Sequence, residues 1–147
     1  MITYHLYLIQ DDIARTYFGR EHLLYDLFAR CHRTTSFAHK KMLYKQIQYI
    51  SEPLQMSRLH DCVEQFLSSH PHYKRINNQH ILIQDEVTYG SLCIKRQFAR
   101  IESIENYEIE TMFFEILRKS EYTFLAMDFI HEKYGWLNPI KQVRRFV

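Results

Sequence analysis

Glycine is scarce in this chain, and its placement excludes a large class of nucleotide-binding proteins. The 147 residues include three glycines, at positions 19, 90 and 135. A G-x-G-x-x-G fingerprint or a Walker loop needs several glycines within a few residues, so neither phosphate-binding loop is present. The sequence also lacks a G-x-S-x-G elbow, an H-E-x-x-H pair and a C-x-x-C motif. These absences weaken the case for an enzyme without eliminating it, because catalytic groups can converge from distant positions.

Cysteine is equally sparse, and its spacing argues against a disulfide framework. Cys31, Cys62 and Cys93 form an odd set with no paired spacing. Met1 to His5 shows no basic region followed by an apolar run, so we predict no signal peptide. No stretch approaches the roughly 20 apolar residues that a membrane span requires. We therefore expect a cytoplasmic protein without a membrane partner.

Charge of one sign is also lacking, since 19 Lys or Arg face 17 Asp or Glu, for a net charge of +2. A nearly neutral chain has no strong global field, so binding to nucleic acid is not implied. The basic residues form two modest groups, Lys95, Arg96 and Arg100, and Lys141, Arg144 and Arg145. Three interpretations of these groups stay open. The basic residues contact phosphates, they contact an acidic protein surface, or they form a solvated sheet face and a charged tail.

The nine histidines of the chain include candidate zinc ligands. His70 and His72 flank a proline, and His80 lies beyond a predicted hairpin turn, so zinc binding is one interpretation. The spacing matches no ligand motif, and we favour a solvated loop in which histidine is tolerated. Cys31 falls on the apolar stripe of a predicted helix, which indicates a buried structural cysteine rather than a thiolate paired with His32. We predict no metal site.

Hydrophobic periodicity predicts an α+β fold in a single domain spanning residues 1–147. Alternation predicts a strand over residues 2–9, and helical spacing predicts four helices between about residues 11 and 68. The period then changes to two, which predicts a hairpin and a third strand. A helix near residues 109–117 and a strand over 122–129 complete the order β-α-α-α-α-β-β-β-α-β. Short turns between strands favour a mostly antiparallel sheet of about four to five strands packed with helices.

The same periodicity assigns side chains to faces. The predicted buried stripe of the second helix comprises Leu23, Leu24, Leu27, Phe28 and Cys31, and that of the fourth comprises Leu59, Val63, Phe66 and Leu67. After Gly90, Leu92, Ile94 and Phe98 share one face of a strand that also contains Lys95, Arg96 and Arg100.

The segment Tyr134–Pro139 is unusual because it holds the single tryptophan of the chain together with a glycine and a proline. Glycine and proline interrupt regular structure, so we predict a turn that presents Trp136. Binding hot spots favour tryptophan, although a tryptophan that caps a small core is the commoner outcome. We interpret Trp136 as a packing residue that fixes Asn138 and Pro139 beside a binding face.

Aromatic placement suggests a binding patch near the N-terminus. Ile13 and Tyr17 are four residues apart and project from the same side of one helical turn. Tyr44 and Tyr49 are each offset from the apolar stripe of the third helix. If Ile13, Tyr17 and one of these tyrosines are exposed together, they form an apolar patch of the kind that marks a protein partner. An alternative that we favour equally is that two of these three side chains are buried in the core.

Several strings of this sequence resemble the sporulation inhibitor of replication family (SirA) of spore-forming Bacillus relatives. They are Tyr17–Glu21, Gln46–Ile50, Glu110–Lys119, Phe124–Phe129 and Tyr134–Pro139. The resemblance spans nearly the whole chain in the same order, and it is weakest over about residues 54–105.

The resemblance implies an inhibitor that binds the N-terminal domain of the replication initiator DnaA and restrains chromosome initiation on entry into sporulation. It implies no reaction and no cofactor, and we expect no direct contact with DNA. The partner-binding residues that it implies are Ile13, Tyr17, Tyr49 and Pro139. To these we add Phe18 and Arg20 beside Tyr17, with Arg20 as part of a polar rim. Ile13 and Tyr17 are central, and Ile13 departs from the phenylalanine that a relative has there. The alternative function is a small nucleic-acid-binding regulatory module that uses the basic groups.

Overall fold

The structure of the protein, a computed structural model, describes residues 1–104 and 107–140. The described residues form one eight-stranded sheet and five helices. The strands are β1 (Ile2–Ile9), β2 (Ser51–Glu52), β3 (Tyr73–Ile76), β4 (Gln79–Ile83), β5 (Tyr89–Ile94), β6 (Ala99–Ser103), β7 (Phe124–Asp128) and β8 (Lys133–Trp136). The helices are α1 (Asp11–Thr16), α2 (Glu21–Arg33), α3 (Phe37–Ile50), α4 (Met56–Leu67) and α5 (Tyr107–Ser120).

The sheet has the order β3-β4-β5-β6-β1-β7-β8, and β2 pairs separately with the end of β1. Every pairing is antiparallel. The predicted α+β class and antiparallel sheet are confirmed, with eight strands in place of the expected four or five. The basic residues Lys141, Arg144 and Arg145 lie outside the described residues.

Helices cover the sheet on both faces because β1 is apolar on both sides. Leu6 and Leu8 of β1 belong to one buried cluster, which packs against α4 and α5. Ile9 belongs to the second buried cluster, and Tyr7 packs against it, on the side of α1, α2 and α3. Successive side chains of a strand point to opposite faces, so this central strand supplies both cores.

The hairpin β5–β6 corrects the expectation of one long strand after Gly90. The Lys95 N–H donates to the Phe98 carbonyl at 3.0 Å, which closes a turn between the two strands. Lys95 and Arg96 therefore lie in this turn, and Arg100 lies on the returning strand β6. Apolar residues recur at even spacing on both sides of this turn, at Leu92, Ile94 and Phe98. The alternation therefore predicts one strand where the structure has two.

The tryptophan segment is also partly regular, contrary to the predicted turn. Tyr134, Gly135 and Trp136 belong to β8, which pairs with β7 at the edge of the sheet. An edge strand tolerates glycine better than a central strand does, since one of its sides needs no ladder partner. Pro139 follows the strand, where its missing N–H disrupts no pairing.

Three side chains differ from their prediction in exposure to solvent. Phe66 is 48% exposed and Leu23 is 44% exposed, and each lines a surface depression instead of the core. His80 belongs to the histidine group that we interpret as solvated, but it is fully buried in β4, two residues before the buried Leu82 and on the same face.

Candidate partner-binding groove

A groove of about 760 Å³ runs between α1, α2 and α3. We call it the α1–α3 groove; its apolar lining includes Ile13, Tyr17, Leu23, Leu27, Met42 and Tyr49. The helices α2 and α3 form an antiparallel pair joined by three residues. Ser36 caps α3, since its Oγ accepts the His39 N–H at 3.4 Å. The groove therefore extends from the α2–α3 connection at one end to α1 at the other.

The α1 end of the groove is shaped by a short helix and a tight corner. Ala14 of α1 is fully buried and anchors the helix to the second core. Ile13 and Tyr17 are half-buried; each packs against that core and also lines the groove. Gly19 has a φ of 80°, the left-handed conformation that glycine adopts without steric cost, and it turns the chain into α2.

Phe18 and Arg20 lie at this corner, next to the groove rather than in its lining. Phe18 is 44% exposed. The guanidinium carbon of Arg20 lies 5.4 Å from the centre of the Tyr17 ring, in a cation–π arrangement. Arg20 Nη2 also donates to the Thr16 carbonyl at 2.9 Å, which holds the guanidinium over the ring. Arg20 is thus placed to orient Tyr17.

Tyr49 projects from the last turn of α3 and is 78% exposed. Its backbone is fixed, because Gln10 Nε2 donates to the Tyr49 carbonyl at 2.7 Å and Gln10 N donates to the Ile50 carbonyl at 2.9 Å. Tyr44 instead lines a separate cavity on the other side of α3. The structure therefore brings Tyr49, and not Tyr44, into one groove with Ile13 and Tyr17.

Pro139 does not line the groove. It is exposed, and its carbonyl accepts a hydrogen bond from the Tyr122 hydroxyl. The neighbouring Asn138 is buried and donates through Nδ2 to the Arg118 carbonyl at 2.9 Å, while Ile140 packs into the second core. Pro139 is consequently held by its neighbours close to the core on which α1 rests.

Trp136 connects the last strand to the α1–α2 corner. Its ring is half-buried against the second core, and Nε1 donates to Glu21 Oε1 at 3.3 Å. The same oxygen accepts the Gly19 N–H at 3.0 Å. Burial acts to raise the pKa of Glu21, but these hydrogen bonds to the carboxylate outweigh it and the pKa is lowered. The packing role predicted for Trp136 agrees with this position.

Comparison with known proteins assigns the chain to a family. The family described as "Sporulation inhibitor of replication protein SirA" matches residues 2–141. A relative from Bacillus subtilis (strain 168), named sporulation inhibitor of replication protein SirA, is 37% identical over 145 residues. The alignment covers 98% of this chain and 97% of the relative. The chain belongs to the SirA family.

Sequence reasoning missed part of the groove of this SirA-family protein. Leu23 was placed in the core, and Met42, Arg30 and Lys45 were not singled out, although all four line the groove. A signal was available in the sequence of α3: the apolar stripe of this helix is Leu43, Ile47 and Ile50, which leaves four further large apolar side chains outside it, namely Phe37, Met42, Tyr44 and Tyr49. Among them, Met42 is 53% exposed.

Two other kinds of site are absent from the described part of this SirA-family protein. Within residues 1–104 and 107–140, no group of three His, Cys, Asp or Glu side chains is placed to hold a metal ion. In the same part of the chain, no helix is both long enough and apolar enough to cross a membrane.

Proposed function

We propose that this protein inhibits the initiation of chromosome replication during sporulation by binding the N-terminal domain of DnaA through the α1–α3 groove. The name of its Bacillus subtilis relative supports replication inhibition. One structural observation carries the choice of surface. Ile13 and Tyr17 come from α1 and Tyr49 from the end of α3, yet all three line the same open groove.

The groove has the composition of a protein interface. Its apolar and aromatic lining is open to solvent along one side, and such patches on soluble proteins mark binding surfaces. Hot-spot residues in interfaces are enriched in tyrosine and are surrounded by a polar rim. Ile13, Tyr17 and Tyr49 would pack against an apolar surface of the partner. Phe18 and Arg20 would contact its margin, and Pro139 would contribute at the same side of the molecule.

In this proposal the protein inhibits DnaA by occupying a surface of its N-terminal domain. It consumes no substrate and needs no cofactor, and a single domain over residues 1–147 acting in the cytoplasm is sufficient. Most of the affinity lost on mutation of an anchor should appear as faster dissociation, because association rates vary little among variants of one interface.

A pull-down with isolated parts of DnaA tests the proposed partner. Tagged protein is incubated with the purified N-terminal domain and, separately, with DnaA lacking that domain. We expect capture of the N-terminal domain alone. Capture of the remainder of DnaA, or of neither part, would contradict the proposal.

The alternative, a nucleic-acid-binding module, makes a separate prediction. Arg100 Nε lies 3.0 Å from Glu102 Oε1, so part of the basic group on the sheet is neutralised by a neighbour. A gel shift with origin DNA should show no complex with the purified protein in the absence of DnaA. A shift that disappears steeply with salt would favour the alternative instead.

A further inference from the structure

The helical pair that forms two walls of the groove carries an excess of positive charge. Between residues 21 and 50 there are five Lys or Arg and two Asp or Glu, a formal charge of +3, while the whole chain carries +2. Helix α3 contains three lysines and a histidine but no acidic residue. The pair is therefore more basic than the molecule to which it belongs.

Part of this charge lies in the groove itself. Arg30 at the end of α2, and His39 and Lys45 of α3, all contribute to the groove lining. Asp26 is the acidic side chain among the described residues that line it. Across residues 1–104 and 107–140, no ion pair within 4 Å uses Arg30, Lys45 or Asp26. The two cations are thus available to a ligand.

The charges and the apolar anchors occupy different parts of the groove. Helix α3 rises about 1.5 Å per residue, so Lys45 lies about 6 Å and His39 about 15 Å along the axis from Tyr49. Arg30 lies beside the α2–α3 connection, at the same end as His39. The groove therefore passes from an apolar, aromatic end at α1, through Lys45 in its middle part, to Arg30 and His39 at the connection, and we call the part from Lys45 to the connection its basic end.

We infer that the basic end of the α1–α3 groove binds carboxylate side chains of an acidic partner segment whose apolar residues occupy the α1 end. The inference rests on the proposed function, which it extends by specifying the partner's chemistry. A segment about 15 Å long, the length of roughly ten helical residues, would span both ends. Arg30 and Lys45 would meet its acidic residues, and Asp26 would disfavour a partner acidic over its whole length.

Charge complementarity at the rim of an interface acts on the rate of association and is screened by salt. The apolar contacts of Ile13, Tyr17 and Tyr49 are insensitive to moderate salt by comparison. Binding should therefore have one salt-dependent part, from Arg30 and Lys45, and one part that persists when salt is raised. This separation allows the two ends of the groove to be tested independently.

The test measures binding of the isolated N-terminal domain of DnaA to wild-type protein, to the double variant Arg30→Glu/Lys45→Glu, and to Tyr49→Ala. Lys40→Glu is the matched control, since Lys40 is on the same helix but lines the cavity on its other side. At low ionic strength we expect the double variant to bind about tenfold more weakly, with the difference falling to about twofold near 0.5 M salt. Lys40→Glu should bind as the wild type does.

The outcomes separate the two proposals. Wild-type binding that is lost in Tyr49→Ala but unchanged or tightened in the double variant would overturn the acidic-partner inference and leave the proposed function standing. A double variant weakened equally at low and high salt would also overturn it, since the loss would then not be electrostatic. Wild-type protein that fails to bind the domain would overturn the proposed function, and this inference with it.

Discussion

Two buried histidines and a tyrosine form a hydrogen-bonded chain beneath α4. His80 Nε2 lies 2.7 Å from His60 Nδ1, and the Tyr73 hydroxyl lies 2.5 Å from His80 Nδ1. The pKa of His80 is lowered to about 4, chiefly by burial and in addition by the neighbouring His60 and Arg75, against the opposing effect of Glu64. Both imidazoles are therefore neutral in the folded protein at pH 7, and across the His60 Nδ1–His80 Nε2 contact one nitrogen donates and the other accepts.

Because His80 is buried in its neutral form, we predict that the protein loses stability in mild acid. The unfolded His80 has an ordinary pKa near 6.5, so below that pH the unfolded state binds a proton that the folded state excludes until about pH 4. The stabilising contribution is complete above pH 6.5 and is lost as the pH falls towards 4. At pH 5 the loss is of order 2 kcal/mol for such a group.

Urea unfolding of the wild type, His80→Gln and His72→Gln at pH 7 and pH 5 measures this effect. Glutamine keeps a donor and an acceptor but does not titrate, so His80→Gln should show a smaller difference between the two pH values. His72 is exposed, and its variant should retain the wild-type dependence. Equal pH dependence in all three proteins would contradict the account.

The candidate site shows which residue positions sequence reasoning can reach. The four-residue spacing placed Ile13 and Tyr17 together, because the geometry of one helical turn is local. The choice between Tyr44 and Tyr49 was not accessible from spacing, since it depends on where α2 contacts α3. The position of Leu23 on its stripe is likewise local, but the structure shows that this side of the stripe lines the groove instead of the core.

Strand β5 and helix α5 approach each other closely at Gly90. A Cβ at this position would lie 2.4 Å from Cγ2 of Ile109 and 3.3 Å from the Glu102 carbonyl oxygen. Ile109 is buried and branched at Cβ, so its methyl cannot move aside easily. Gly90→Ala should therefore destabilise the fold by about 1–3 kcal/mol through overpacking.

Gly135→Ala is the matched control on the edge strand β8. A Cβ there meets nothing within 4 Å. We expect the free energy of unfolding of Gly135→Ala, from urea titration, to stay within about 0.5 kcal/mol of the wild type. If both alanine variants were equally stable, the close packing of β5 on α5 would be wrong.

The elements that the sequence predicted best are those with their own periodic signal. The strand β1 and the amphipathic helices α2 to α5 follow local patterns of two or 3.6 residues. The prediction omits β2, β6 and β8. Strand β2 has two residues and pairs with β1, which is distant in the sequence, whereas β6 and β8 each follow a tight turn that the pattern of apolar residues does not mark. In β8, the glycine that argued for a turn is accommodated at a sheet edge, a location that only the tertiary structure supplies.

At the scale of the whole molecule, the sheet separates two cores, and the candidate groove belongs to one of them. Helices α1, α2 and α3 lie on one face, while α4 and α5 and the buried histidine chain lie on the other. Tyr17 is half-buried at the surface of its core and is not among the fully buried side chains. Shortening it should therefore leave most of the packing intact, so binding and stability can be measured separately.

The most direct test of the central claim is calorimetric titration of the isolated N-terminal domain of DnaA with the wild type, Tyr17→Ala and Tyr89→Ala. Tyr89 is 38% exposed on β5, away from the groove, and controls for the loss of an exposed ring. We predict that Tyr17→Ala weakens binding by about 30-fold or more, the loss expected of a hot-spot residue, while its circular dichroism spectrum and the affinity of Tyr89→Ala stay at wild-type values. Wild-type affinity in a correctly folded Tyr17→Ala protein would contradict the account.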